Sequence, residues 1–372
     1  MKNFELKIKM EKLEELRKKV DEIDEKLVNL IDERGKLSKE IGVLKQQLGI
    51  GVIQPERELQ VLEHVKKVAN FIPPEHIELI WKEIISACKL VQGRETRVSY
   101  LGPEGTFTEI ATKKFFPKVG CVFIPVPTKQ DVFNKVESDY ADFGIVPIEN
   151  SLEGSVRETL DLLIDYNLKI YGEIEIRIVH NLISLKGAKL SDIKYILSHP
   201  QALAQCNQWI LNNLPKAELI STSSTARAVE MVYEKNTKEY AAIGTKEAAK
   251  IYNLEILVPG IEDNPQNYTR FLVISKKENM PTDHDKTSMV FVTKHVPGAL
   301  HKVLQIFADA NINLLKIESR PRKKDLWEYI FIVEFEGNYK NMPEIIEKIK
   351  NQTIFTKILG SYPMFLNKKY KS

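Results

Sequence analysis

NYTRFLVIS (residues 267–275) places a hydroxyl, a guanidinium and an aromatic ring, those of Thr269, Arg270 and Phe271, at the mouth of an apolar run. Two distant pieces have the same character, PIENS (147–151) and IESRP (317–321). Each joins hydroxyl, amide or charged side chains to a tight turn, which is how a site for a small dianionic acid is built. The neighbouring runs RVSYL (97–101), CVFIPV (121–126) and FGIVPI (143–148) are short apolar strands alternating with helical segments, an α/β grammar.

A chain of 372 residues is long for a single core, so two or three domains are expected. Its 54 basic and 51 acidic residues leave a net charge of +3, which gives no reason to expect a nucleic-acid partner. Cys88, Cys121 and Cys206 are widely spaced and read as reduced thiols of a cytosolic protein. Residues 1–15 lack an apolar signal core, and no apolar run approaches the roughly 18 residues of a membrane span. The expectation is a cytoplasmic, soluble protein with no membrane partner and no metal or other cofactor.

Outward from the α/β segment the pattern changes on both sides. From Met10 to about Gln47 apolar residues recur every three or four positions (Leu13, Leu16, Val20, Ile23, Leu27, Leu30, Ile31, Leu37, Ile41, Leu44, Leu48), the stripe of one amphipathic helix. Such a helix is on the order of 55 Å long, more than a small domain covers alone, so a partner chain is expected against it. GIGVIQP (49–55) breaks it, a second helix runs from about Pro55 to Ala69, and PPEH (73–76) opens a third reaching about Gln92. The polar stretches QGRETR (92–97) and SKKENMPTDHDKTS (275–288) mark boundaries. Beyond the second, strands and helices follow in βαββαβ order, a ferredoxin-like unit. The expected domains are therefore an all-α bundle at 1–93, an α/β domain at 97–275 and an α+β domain at 287–368.

Within the first helix, Arg34 and Lys45 are eleven residues apart. Eleven steps of 100° bring both to one face about 16 Å apart, a span that brackets a small dicarboxylate. Arg17 lies about 25 Å from Arg34 along the axis and reaches that site only from an antiparallel partner. With these residues, LRKKVDEIDEKLVNLIDERGKLSKEIGVLK (16–45), PERE (55–58) and a third helix ending in Gln92 resemble the all-helical chorismate mutases. The resemblance implies an intertwined dimer. In it Arg17 of the partner and Arg34 hold the two carboxylates of chorismate. Lys45 and Gln92 bond the ether oxygen, and Arg57 and Glu58 orient the ring hydroxyl. Gln54 and Cys88 stand where aspartate and serine are common, both peripheral to the substrate. A Claisen rearrangement needs no nucleophile, only a folded conformer and donors at the oxygen that gains charge.

GPEGTFTE (102–109), PIENS, SHPQALAQC (198–206), SSTARA (223–228) and NYTRF occur in the order found in prephenate dehydratases, which the segment resembles. The resemblance implies two α/β lobes of the periplasmic-binding-protein type, with prephenate in the cleft and Thr269 as the acid that assists the leaving hydroxyl. Glu149, Asn150 and Ser151 end an apolar strand, where α/β sheets place ligands. Thr106, Gln201, Ser223 and Thr225 sit at helix starts, where free N–H groups suit carboxylates but where caps are also common. His199 reads as structural. Arg270 is either a carboxylate clamp or a structural ion pair; the second is favoured because successive strand residues face opposite sides. Phe271 is expected at the pocket. The chain is expected to cross to the second lobe near Glu175–Arg177 and to return near Asn253–Val258.

HVPGALHKVLQIFADANINLLKIESRP (295–321) resembles the ACT domain of phenylalanine-controlled dehydratases. Gly298 permits a close backbone approach, and the N–H groups of Ala299 and Leu300 suit a carboxylate. Glu318 would pair with an ammonium group, with Ser319, Arg320 and Pro321 completing a pocket at a domain pair. The function expected is rearrangement of chorismate to prephenate and conversion of prephenate to phenylpyruvate, inhibited by phenylalanine, in a homodimer or higher homo-oligomer. The rival readings are an arogenate dehydratase with an inactive helical domain, and an amino-acid-responsive binding protein without catalysis.

Overall fold

The computed structural model describes residues 2–47, 55–91, 95–117, 120–282, 284–321 and 329–364. By its packing the chain divides into two units, residues 1–95 with 117–121 and residues 96–116 with 122–372.

In the smaller unit, α1 (Lys2–Gln47) begins earlier than the expected Met10, and is followed by α2 (Pro55–Val68) and α3 (Pro74–Leu90). A proline opens α3, where its fixed φ suits the first turn and its missing N–H costs no bond. Ser38, Leu62, Ile85, Ser86 and Cys88 are buried between the helices. Leu13, Leu16, Val20, Ile23, Leu27 and Leu30 of α1, by contrast, are all exposed within the chain. Gln54 and Gln92 lie outside the described residues, as does Leu48.

The larger unit opens with a lobe built from β1 (Thr96–Leu101), β2 (Cys121–Val126), β3 (Phe143–Asn150), β4 (Gly154–Ser155) and β5 (Lys169–Arg177). Helices α4 (Phe107–Phe115), α5 (Lys129–Glu137) and α6 (Arg157–Asp165) connect these strands. The second lobe contains β6 (Asn181–Ser184), β7 (Tyr195–Ser198), β8 (Glu218–Ser221), β9 (Tyr240–Gly244) and β10 (Glu255–Val258). Its helices are α7 (Pro200–Gln205), α8 (Asn207–Asn213), α9 (Thr225–Lys235) and α10 (Lys246–Ile251). The chain then returns to the first lobe as β11 (Tyr268–Ser275), giving sheets in the order β2-β1-β3-β11-β5 and β10-β6-β9-β7-β8. The crossings fall at 178–180 and 259–267, because β5 stays paired with β11 to Arg177 and β10 stays in the second sheet. Each is a few residues later than expected.

The last part of the unit is β12 (Asp285–Thr293), α11 (Ala299–Asp309), β13 (Leu314–Pro321), β14 (Tyr329–Glu336), α12 (Pro343–Gln352) and β15 (Thr353–Pro363). The sheet order is β13-β14-β12-β15, the ferredoxin-like arrangement expected from the sequence. Alternation along the strands gives this sheet two apolar faces. Met289, Phe291, Val333 and Phe335 meet Val303, Phe307, Ile346 and Ile349 of its own helices. Val290, Val292, Ile330, Ile332 and Tyr362 join Val146, Leu160, Leu163, Ile170 and Leu272 of the first lobe in one core. Gly360 on β15 has φ +155°, and a Cβ there would fall on the backbone of Ile170.

Candidate active sites

In the helical unit, Arg34, Ser38, Ile41 and Lys45 of α1 line a cavity of about 340 Å³ with Arg57, Glu58, Val61, Ile85, Cys88 and Lys89. Helical spacing alone brings Arg34 and Lys45 to it, as read from the sequence. Lys89 Nζ lies 2.5 Å from Glu58 Oε1. Burial lowers the pKa of Lys45, with Glu58 opposing the shift and Lys89 adding to it. The cavity thus offers cationic donors on an apolar floor, suited to a small dianion. Arg17 is not among the lining residues; it is exposed and pairs with Glu14 at 2.8 Å. Lys89 was missed from the sequence, although Ile85, Cys88 and Lys89 share one face of α3 at the i, i+3, i+4 spacing.

In the larger unit, Thr269 of β11 stands opposite Asn150 of β3. Asn150 Nδ2 donates to Thr269 Oγ1 at 2.9 Å and to Asn267 Oδ1 at 2.8 Å. Asn150 Oδ1 accepts from the N–H of Leu152 at 3.0 Å, which fixes the amide's orientation. Asn267 Nδ2 donates in turn to Gln205 Oε1 at 2.9 Å, and His180 Nε2 lies 3.0 Å from the same oxygen. Gln205 Nε2 donates to Glu153 Oε1 at 3.1 Å. Gln205 Oε1 can only accept, so His180 carries its proton on Nε2. The Nδ1 of His180 is buried without a hydrogen-bond partner among the described residues. Burial pushes the pKa of His180 down, against smaller opposing effects of Gln205 and Glu262. A relay therefore runs from both crossing segments to Thr269, whose oxygen accepts and whose proton remains available to a bound group. Gln205, Asn267 and His180 carry no local signal in the sequence, because the crossings bring them together.

Several residues expected at the pocket, or next to it in sequence, make contacts that hold the frame. Thr106 Oγ1 caps α4 by accepting from the N–H of Glu109 at 3.3 Å. Gly105 adopts φ +81° where a Cβ would collide with Ala248 of the second lobe, and its carbonyl accepts from Thr245 Oγ1 at 2.6 Å. Ser224 caps α9, Thr225 is the first residue of that helix, and Ser223 is exposed ahead of it. His199 Nδ1 caps α7 by accepting from the N–H of Gln201 at 3.3 Å, the structural role expected for it. Ser151 Oγ donates to Gln266 O at 3.1 Å and accepts from the N–H of Tyr268 at 3.0 Å, clasping the end of β3 to the returning chain. Phe271 is 2% exposed and packs in the core, which corrects its placement at the pocket.

Arg270 and Glu149 meet in one ion cluster, the structural alternative favoured for Arg270 and a correction for Glu149, which was expected at the pocket. Arg270 meets both oxygens of Glu334 at 2.7 and 2.8 Å, Glu173 at 3.1 Å and Glu149 at 2.8 Å. Lys286 Nζ lies 2.7 Å from Glu173 and 2.9 Å from Glu334. Lys316 Nζ lies 3.0 Å from Glu149 and 3.5 Å from Glu318. Burial alone would raise the pKa of Glu334, but Arg270 and Lys286 override it and hold the carboxyl down at about 2.

Gly298, Ala299 and Leu300 line a pocket of about 590 Å³ with Lys294, His295, His301, Tyr329 and Phe331. Gly298 has φ +78° and precedes the first turn of α11. The IESRP residues do not line this pocket. Glu318 accepts from Ser155 Oγ at 2.5 Å and Arg320 pairs with Asp161 at 2.6 Å, both toward the first α/β lobe. Glu318 is therefore already engaged and is not poised for an ammonium group in the same chain. Ser319 and Pro321 alternate with them and are exposed.

Among the described residues no helix is long and apolar enough to cross a membrane, and no group of His, Cys, Asp and Glu could hold a metal ion. Residues 16–93 match the family of type II chorismate mutases, 98–279 the prephenate dehydratases and 288–352 the ACT domains. A bifunctional chorismate mutase/prephenate dehydratase of Aquifex aeolicus is 42% identical over 364 residues, covering 96% of this chain and 99% of the relative. A prephenate dehydratase of Methanocaldococcus jannaschii is 44% identical over 275 residues, 72% of this chain and 98% of its own. The solved prephenate dehydratase of Arthrobacter aurescens in complex with L-Phe superposes with a TM-score of 0.67 at 35% identity, over 72% of this chain and 90% of that one. With the three matches in order along the chain, this protein belongs to the family of bifunctional chorismate mutase/prephenate dehydratases carrying a C-terminal ACT domain.

Proposed function

We propose that residues 1–93 rearrange chorismate to prephenate at the Arg34–Lys45 cavity. Residues 97–275 convert prephenate to phenylpyruvate with Thr269 as the acid, and residues 287–368 bind phenylalanine and restrain the second step. The observation that carries the reading is the Asn150 amide on Thr269, which leaves the hydroxyl proton for the departing hydroxide while carbon dioxide is lost. Arg34, Lys45, Arg57 and Glu58 bind chorismate, and the Arg17 of a second chain completes the site, with Gln92 as the second donor to the ether oxygen. Phenylalanine sits at Gly298–Leu300, its carboxylate on the first N–H groups of α11. Exposed Ser319 and Pro321 reach that pocket from the ACT domain of the partner, so the enzyme works as a cytoplasmic homodimer or larger homo-oligomer. The test follows chorismate loss and phenylpyruvate formation by ultraviolet absorbance, with prephenate and arogenate supplied separately and phenylalanine added. Turnover of arogenate alone, without chorismate loss, would overturn the bifunctional reading.

A further inference from the structure

One strand joins the pocket at Gly298 to the neighbourhood of Thr269. On β14, Tyr329 and Phe331 line that pocket. Glu334 lies three residues beyond Phe331, about 10 Å at the rise of a strand. Its carboxylate takes both guanidinium nitrogens of Arg270, the residue bonded directly to Thr269. The same guanidinium holds Glu149, the neighbour of Asn150. Each member of the Thr269–Asn150 pair thus has its adjacent residue fixed in one buried cluster. Successive strand residues face opposite ways, so the cluster backs onto the pair from the other side of the sheet.

The form of the contact matters. An apolar contact would hold β11 against the ACT sheet without fixing its direction, whereas a two-pronged guanidinium–carboxylate pair fixes distance and orientation together. The register of β11 against β3 shifts directly after this residue, between Arg270 and Phe271. Thr269 meets Asn150 just before a bulge, where the ladder itself fixes position least well.

We infer that Glu334 is a positioning residue of the dehydratase. By holding Arg270 it fixes the place at which Thr269 meets Asn150, and it carries movements of β14 at the effector pocket to that pair. The inference rests on Thr269 as the acid and on the Gly298 pocket as the phenylalanine site.

The cluster contains the cations Arg270, Lys286 and Lys316 and the carboxylates Glu149, Glu173, Glu318 and Glu334. Neutralising Glu334 leaves three charges of each sign, so Glu334→Gln does not strand a net charge in the interior. In the full-length enzyme, Glu334→Gln lowers kcat for prephenate by tenfold to a hundredfold, the scale on which a displaced catalytic group costs rate. KM for prephenate changes by less than about threefold, because the substrate contacts remain. Chorismate turnover is unchanged. Phenylalanine still binds by calorimetry but no longer inhibits the residual dehydration, and Glu334→Asp recovers part of both losses. Should Glu334→Gln fail to fold, Arg270→Lys keeps the charge without the fork and is expected to lower kcat in the same way. A wild-type kcat in the folded variant, or a lowered kcat with phenylalanine inhibition intact, overturns the inference. Thr269→Ala separates it from its premise: an inactive Thr269→Ala beside a normal Glu334→Gln defeats only the role of Glu334, whereas an active Thr269→Ala defeats the assignment of the acid.

Discussion

The amide of Asn150 and the hydroxyl of Thr269 meet at 2.9 Å with the amide as donor. The direction follows from the far side of Asn150, where its oxygen already accepts the N–H of Leu152. A threonine hydroxyl is a weak acid in water, so its usefulness depends on holding its proton toward a leaving group at the right distance.

Thr269→Ala should therefore lower kcat for prephenate by about 10²-fold or more, the usual scale for a positioned proton donor. Thr269→Ser, which keeps the hydroxyl, should retain a substantial part of the rate. Chorismate turnover should not change in either variant. Near-normal phenylpyruvate formation by Thr269→Ala would remove the residue from this role.

Lys45→Ala and Arg34→Ala should each abolish most chorismate turnover while sparing dehydration of supplied prephenate. The Lys45 pKa is lowered by burial, and only the charged lysine gives the ether oxygen a strong, charge-assisted hydrogen bond. For chorismate, kcat/KM should fall as pH rises, and the fall should begin below the range of an ordinary lysine. Lys45→Arg should move the alkaline limb upward in whatever activity remains. An alkaline limb at the same pH in wild type and Lys45→Arg would assign it to another group.

Arg17→Ala and Lys45→Ala should each be inactive in the mutase assay when pure. Refolded together, they should recover about a quarter of wild-type activity. Half of the dimers are then mixed, and each mixed dimer has one site of two with neither lesion. If verified mixed dimers recover nothing, Arg17 acts on its own chain.

Phenylalanine should raise the melting temperature of the intact enzyme, because a ligand selective for the native state stabilises it by mass action. Gly298→Val should weaken that shift and the inhibition together. Its backbone has φ +78° and a Cβ there meets open space, so the cost lies in the backbone conformation and in a side chain entering the pocket. To whatever extent phenylalanine weakens prephenate binding, linkage requires prephenate to weaken phenylalanine binding by the same factor, whereas an effect on kcat alone carries no such reciprocity. Competition with prephenate that ignores Gly298→Val would place the effector in the dehydratase cleft.

Burial lowers the pKa of His180, so the folded chain binds fewer protons than the unfolded one between the folded value and the unfolded value of about 6.5. Stability contributed by neutral His180 is then complete above that unfolded value and declines as pH falls below it. The melting temperature of the dehydratase should drop between pH 7 and pH 5 by more in wild type than in His180→Gln, which can still donate to Gln205. Equal slopes in the two proteins would show that His180 titrates normally.

Much of this organisation was legible in the sequence. The spacing from Arg34 to Lys45 fixed one face of a helix, and the cavity is lined by both. The βαββαβ order was likewise visible as alternating strand and helix periods. Which way strand residues point was harder to read. Phe271 entered the core and Glu149 turned away from Asn150, whereas the turn of Arg270 away from Thr269 followed the strand alternation and only its partners, contributed from as far as Glu334, were not legible. Local propensity cannot anticipate such pairings, because they follow from the docking of one sheet on another. Thr106 and Ser224 illustrate a second limit, since a hydroxyl before a helix has the same appearance in sequence whether it caps or binds.

The contact of Gly360 with the backbone of Ile170 bears on how the enzyme can be dissected. It lies within a core whose other members include Val290, Val292, Ile330 and Ile332 on one side and Val146 and Leu272 on the other. A chain cut near residue 280 would uncover that apolar face on both products, a liability for aggregation rather than a clean separation of parts. The ACT sheet and the dehydratase are accordingly expected to melt in one cooperative transition, and a calorimetric scan of the whole enzyme should give them a shared peak. Evolutionary exchange of the effector module would then require matched changes on both faces of this core, so a new regulator is more readily acquired by altering the Gly298 turn than by swapping the domain.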